Sequence, residues 1–188
     1  MVGALLTQNT AWSNVEQAIG QLTRARALSP KALARARPTR LQRLIRSSGY
    51  FRQKAAVVQG FSRWYLSRYR GSPRMMFRVP LETLRRELLA VKGIGPETAD
   101  SILLYAGRQP IVVIDAYTRR IFRRHHLIEG GESYDQLQRF VTQRLPRDVQ
   151  LYNEFHALLV AVGKRYCRRR DPHCAACPLG VFPHQGER

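Results

Sequence analysis

The chain has 188 residues, 44% of them hydrophobic, with 32 Lys plus Arg against 13 Asp plus Glu, a formal charge of +19 and a pI near 11.2. So much apolar content excludes a natively disordered chain, and with no apolar run near the roughly 20 residues that span a bilayer, a helical membrane protein is excluded too. The start MVGALLTQNT lacks the basic region and cleavage pattern of a secretion signal, so a cytoplasmic protein is expected, and its surface calls for a polyanion, whether DNA, RNA or an anionic membrane.

Helical signals recur along the chain and no convincing run of alternating strand residues appears, so an all-α fold is expected. WSNVEQAIGQL places Val15, Ile19 and Leu22 at helical spacing, and SPKALARA opens with Ser29 as cap and Pro30 at the first helical position. A further helix is expected from Thr39, ended by Gly49. From Phe51 to about Arg68, Ala55, Val58, Phe61, Trp64 and Tyr65 share one face, as in a helix laid on a core, before GSPR breaks it. Pro80 opens PLETLRRELLAV; Pro96 opens PETADSILLYA, which Gly107 closes, so two helices flank a glycine turn. Ile111 to Ile114 could make a short buried strand, but one strand has no partner, and an extended connector feeding a helix is the better reading. Ser133 then caps YDQLQRFVTQRL, and a last long helix runs from about Asp148 to Arg165.

Three stretches carry chemistry. In KGIGPETA, Gly93 and Gly95 permit a sharp turn and close approach of another molecule, while the next helix offers free N–H groups and a positive dipole end; this is either a phosphate cradle or a plain helix–turn–helix corner. In IVVID, Asp115 follows four apolar residues and precedes AYTRRIF. Aspartate is a favoured helix cap, and helix N–H groups would also keep it ionised, able to stabilise a cationic sugar or activate water. Lastly, Cys167, Cys174 and Cys177, spaced C-x6-C-x2-C, suggest a metal or iron–sulfur site rather than a disulfide in a cytosolic protein. Only four of the cations are lysines (Lys31, Lys54, Lys92 and Lys164), so arginine forks suited to phosphate supply most of the charge.

Taken together, LLTQNT, SGYFRQKA, GIGPETAD, VVIDAYTRR and the cysteine cluster resemble the helix–hairpin–helix, Gly/Pro-rich loop and aspartate superfamily of DNA glycosylases, the family of endonuclease III, from about Val2 to Cys177. The resemblance implies two helical lobes, residues 1–109 with the hairpin and 110–188 with the cysteine loop, and double-stranded DNA bound across a cleft with a damaged base flipped out. It implies a monomer acting at the nucleoid. By motif, Asp115 is the catalytic aspartate, Lys92, Gly93 and Gly95 hold DNA, Gln8 fills the gap left by the extruded nucleotide, and Tyr50 stands where relatives place a wedge against the opposite strand. The other readings are a polar helix end for Gln8 and a core aromatic for Tyr50.

Two positions depart from the endonuclease III pattern. Two residues after the second hairpin glycine, that pattern has a lysine that attacks the sugar; here it is Glu97, which cannot form an imine. Lys92 lies outside the implied pocket. The resemblance therefore leans toward the 3-methyladenine glycosylase branch, with Glu97 lining the base pocket and Trp12 either an aromatic wall for the flipped base or a packing residue. The fourth cysteine of the family's 4Fe–4S cluster falls at Pro183. Either His184, one residue out of register, moves in, or an outside ligand completes a 4Fe–4S cluster, or the cluster is lost; zinc is a further alternative. Arg168 to Arg170, between the first two cysteines, would be pressed toward phosphates by a cluster-held loop. Relatives also carry chain before VGALLTQNT, so a start upstream of Met1 is expected, or a lobe short of one helix.

The function so implied is a base-excision DNA glycosylase, monofunctional and acting on alkylated purines. The alternatives are a bifunctional glycosylase and lyase acting on oxidised pyrimidines, and a DNA-binding protein without catalysis.

Overall fold

Helices make up the regular structure of residues 1–185, which the computed structural model describes, and among them no strand forms. The chain divides into two compact units, Met1–Gly107 and the chain from Arg108 onward.

The first unit holds α1 (Val2–Leu6), α2 (Trp12–Arg24), α3 (Pro30–Arg35), α4 (Pro38–Leu44), α5 (Phe51–Tyr69), α6 (Pro73–Met76), α7 (Leu81–Leu89) and α8 (Pro96–Ser101). Its centre is α5, against which α1, α3 and α4 pack. Ala55, Val58, Phe61 and Tyr65 form its buried face, as their spacing predicts, while Trp64 is half-buried with its ring 5.6 Å from Phe61 and 5.4 Å from Tyr69. Leu5, Leu6, Leu22, Leu41, Leu84 and Leu88 are sealed from solvent, each worth about 1.5–3 kcal/mol relative to an exposed position.

Local chemistry sets the helix ends. The Ser29 hydroxyl accepts from the Ala32 amide at 3.1 Å, and the Pro after it sits in the first turn. The helix expected from Thr39 starts one residue earlier, because Pro38 has its φ preset for the first helical position. It also stops before Gly49: α4 ends at Leu44, a 3₁₀ turn covers Arg46–Ser48, and Gly49 at φ 68° reverses the chain. GSPR does more than break α5, since Ser72 accepts from the Met75 amide at 3.3 Å and nucleates α6. Beyond α8 the backbone loosens into a π-helical turn, Ile102–Ala106, which periodicity does not foretell.

In the second unit, Ile111–Ile114 is a buried extended connector rather than a strand. Side chains satisfy its backbone: Gln138 donates to the Val112 carbonyl at 2.6 Å, and the Ile114 amide donates to the Tyr134 hydroxyl at 3.3 Å. It leads into α9 (Ala116–Arg124), followed by α10 (Tyr134–Thr142) and α11 (Val149–Arg165). Ser133 and Gln136 form a capping box at α10, and Asp148 caps α11 through the Leu151 amide at 2.7 Å. α9 crosses α11 closely, because a Cβ on Gly163 would lie 2.3 Å from the Tyr117 ring. Phe122 meets Phe140 and Phe155 edge-on nearby. No helix among the described residues is long and apolar enough to cross a membrane.

Candidate functional site

The hairpin joins α7 to α8. Gly93 turns it at φ 88°, and a Cβ there would lie 2.3 Å from Val57 Cγ2 on α5, so both backbone and space demand glycine. Gly95 differs: its φ of −93° suits any residue and no atom lies within 4 Å of a built Cβ. What Gly95 leaves open is the end of α8, where no side chain caps the first turn. Lys92, Gly93, Gly95 and Glu97 are all exposed.

Gln8, which follows α1, belongs to this hairpin rather than to a plain helix end. Its Nε2 donates to the Gly93 carbonyl at 3.1 Å and to Thr98 Oγ1 at 3.0 Å. Tyr50 is no core aromatic: it is 65% exposed and held at φ 43° ahead of α5, a left-handed conformation that costs a non-glycine residue about 1 kcal/mol or more. Trp12 is 46% exposed, and a Cβ on Gly3 would lie 3.2 Å from its ring, so it packs on α1 with one part and shows the rest to solvent. Glu97 stands in the first turn of α8, where the helix dipole favours a carboxylate.

One residue of this unit was hidden from sequence reasoning. Lys54 is buried, and its ammonium donates to the Leu6 carbonyl at 2.9 Å and to the Ser48 carbonyl. Burial pushes its pKa down, and the two carbonyls tie the chain just before Gln8 to the turn before Tyr50. That role makes it structural.

In the second unit Asp115 caps α9, as its place before AYTRRIF predicts. Oδ1 accepts the Thr118 amide at 2.7 Å and the Thr118 hydroxyl at 2.9 Å, while Oδ2 lies 3.6 Å from His156 Nε2 on α11. The residue is only 8% exposed. Burial drives its pKa up, but His156 and the Thr118 amide more than offset this, and the carboxyl ends below its ordinary range. The result is a buried carboxylate that stays charged and keeps one oxygen outside the cap. His156 does not stand out in the sequence. Its signal was a polar residue on the stripe Tyr152, Leu159 and Gly163, the buried face of α11.

The three cysteines gather with His125, His184 and Gly180 around one cavity. Arginines from α9 fasten the loop: Arg120 donates to the carbonyls of Gly163 at 3.0 Å and Cys167 at 2.7 Å. Arg124 donates to Cys167 Sγ at 3.2 Å and to the Arg168 carbonyl at 2.6 Å. Part of the basic charge is thus spent inside the fold. The Gln185 amide returns to the Arg124 carbonyl at 2.8 Å, and a Cβ on Gly180 would lie 2.3 Å from the Cys174 carbonyl oxygen. Among the described residues no group of three or more His, Cys, Asp or Glu could hold a single metal ion as it stands. The three thiols and the imidazoles of His125 and His184 about this cavity are donors of the kind an iron–sulfur cluster would take.

Residues 2–147 match the family model described as the HhH-GPD superfamily of base excision DNA repair proteins. A DNA repair glycosylase of Methanocaldococcus jannaschii is 39% identical over 184 residues, covering 97% of this chain and 83% of that protein. Among solved structures, a 3-methyladenine DNA glycosylase of H. pylori bound to 1,N6-ethenoadenine is 30% identical with a TM-score of 0.76, covering 87% of this chain and 83% of that one. A non-covalent endonuclease III–DNA complex shares the fold at a TM-score of 0.81 and 22% identity, covering 95% of this chain and 78% of that one.

Proposed function

The chain belongs to the HhH-GPD superfamily of base excision DNA repair proteins, and on that footing we propose that it is a monofunctional DNA glycosylase acting on alkylated purines in double-stranded DNA. The observation that carries the reading is Asp115, a buried carboxylate below its ordinary pKa with Oδ2 left over by the helix cap. Cleavage of a base–sugar bond builds positive charge on the sugar, and a fixed anion in a site shielded from solvent stabilises that charge without reorganising. The base leaves with the bonding electrons, water adds to the sugar carbon, and the proton that water sheds passes to the solvent. An alkylated purine is already a good leaving group, so the protein need supply little beyond this anion and the flipped geometry.

Two features support water rather than an amine as the nucleophile. Glu97 occupies the position of the attacking lysine, and an acid cannot form the Schiff base of a lyase. The buried amine, Lys54, is committed to carbonyls. DNA would be held through phosphates by the uncapped turn after Gly95 and by Lys92, with Gln8 filling the gap and Tyr50 wedging the opposite strand. Trp12 and Glu97 would face the base. Cys167, Cys174 and Cys177 would hold a 4Fe–4S cluster, which when bound cross-links the loop and supplies a one-electron couple.

The test is base release from duplexes carrying alkylated purines, oxidised pyrimidines, uracil or mismatches, with and without alkali. Breaks on alkylated-purine DNA that need alkali support the reading. Breaks without alkali, together with a borohydride-trapped adduct, would replace it with a bifunctional enzyme; binding without release from any duplex would leave a non-catalytic DNA-binding protein.

A further inference from the structure

We infer that the cluster's fourth ligand is His184 Nε2, so that Cys167, Cys174, Cys177 and His184 form a three-cysteine, one-histidine set; this rests on the cluster reading above and deepens it. The family register puts a proline, Pro183, at the fourth position, and proline offers iron no side-chain donor. The backbone corrects for the one-residue displacement, bringing the His184 side chain to the same cavity as the three thiols.

The His184 ring is also set up for the task. Its Nδ1 lies 2.8 Å from the Phe182 carbonyl oxygen, and a carbonyl can only accept, so Nδ1 carries the proton. In the neutral ring that leaves the lone pair on Nε2. A metal-binding histidine commonly shows this pattern, one nitrogen donating to a carbonyl while the other coordinates. The His125 ring lies beside that of His184, tilted by 41° with centroids 5.4 Å apart, and its Nδ1 in turn donates to the Pro183 carbonyl at 3.1 Å, which anchors the peptide just ahead of His184.

The rest of the loop is formed by contacts within the protein. Arg124, buried, donates to Cys167 Sγ at 3.2 Å and to the Arg168 carbonyl, which fixes where the first cysteine of the loop sits. Gly180 admits the carbonyls of Cys174 and Cys177 where a side chain would not fit. A neutral imidazole in place of a thiolate leaves the cluster one unit less negative, which raises its reduction potential.

The experiment uses the full chain purified without air, with iron and sulfide counted and the reduced cluster examined by pulsed EPR after uniform ¹⁵N-histidine labelling. Nitrogen coupling that changes with the label is expected in the native protein. His184→Ala should lose that coupling and convert on mild oxidation to a three-iron form, whereas His125→Ala should keep four irons. His184→Cys should keep four irons, lose the coupling and show a lower potential. A four-iron cluster without histidine coupling, or one in which His125 rather than His184 proves essential, overturns the ligand assignment and leaves the cluster reading standing. A protein that binds no iron overturns both.

Discussion

Two helix starts in this protein treat their unpaired amides in opposite ways. At α8 the turn after Gly95 has no side-chain cap and lies open to solvent. At α9 the Asp115 carboxylate fills the corresponding place, buried, with Thr118 as its donor. Both starts present the positive end of a helix dipole. The uncapped one has attraction to spare for an outside anion such as a DNA phosphate; the capped one spends it on keeping its own carboxylate charged. On the proposed function, the same local physics yields a binding surface in one place and a reactive group in the other, and exposure separates the two.

That contrast breaks most sharply at Asp115. Asp115→Asn keeps a side chain able to cap but removes the charge, so base release should fall by about 10³-fold, within the range usual for a positioned catalytic carboxyl, while DNA affinity changes little. Single-turnover release and filter binding on the same duplex measure both. Undiminished release would remove Asp115 from catalysis.

Next comes the hairpin. Gly93→Ala forces a Cβ into Val57 at a positive φ and should cost about 2–3 kcal/mol in denaturant unfolding. Gly95→Ala should change stability by less than about 1 kcal/mol, because its Cβ meets no protein atom, yet weaken DNA binding by about tenfold by crowding the open turn. Equal losses of stability at the two glycines would show the hairpin to be only a corner.

His156 sharpens the other side of the comparison. It helps hold the Asp115 pKa below the ordinary aspartate value of 3.8, so His156→Asn should move that pKa upward and shift the acid limb of the rate profile to higher pH, with about a tenfold loss of rate on that limb. Stability follows the same sign. Because folding depresses the Asp115 pKa, its contribution is complete above 3.8 and is lost as pH falls through the folded value; without His156 that loss begins at a higher pH. The smallest effect belongs to Lys92. Lys92→Ala should weaken binding to any sequence a few-fold and reduce the slope of log affinity against log salt by about 0.9, one phosphate's share.

Much of this was legible in the chain as written. Proline, serine and aspartate at helix starts, and glycine at reversals, act through their own backbones and nearest neighbours, so Ser29, Asp115 and Ser133 could be read as caps directly. The five motifs and the arginine-rich composition pointed to a DNA repair family for the same reason, since each is a short stretch with its own chemistry. Misjudged boundaries were local too: Pro38 and Ser72 each start a helix that hydrophobic spacing alone does not reveal.

What composition and spacing by themselves determined was therefore an all-helical, strongly basic chain with a glycine hairpin, a capping aspartate and three clustered cysteines. The tertiary structure alone decided which distant groups meet: Gln8 on the hairpin, Lys54 between two carbonyls, His156 beside Asp115, Arg124 on Cys167, and His184 at the cysteine cavity. Those pairs lie far apart in the chain, apart from the short steps from Ser48 to Lys54 and from Cys177 to His184, and each side chain taken alone is equally at home on a solvated surface. Only folding within each unit brings these groups to their partners, and where the core buries them, as it does Lys54, Asp115 and Arg124, each comes to depend on the group it meets.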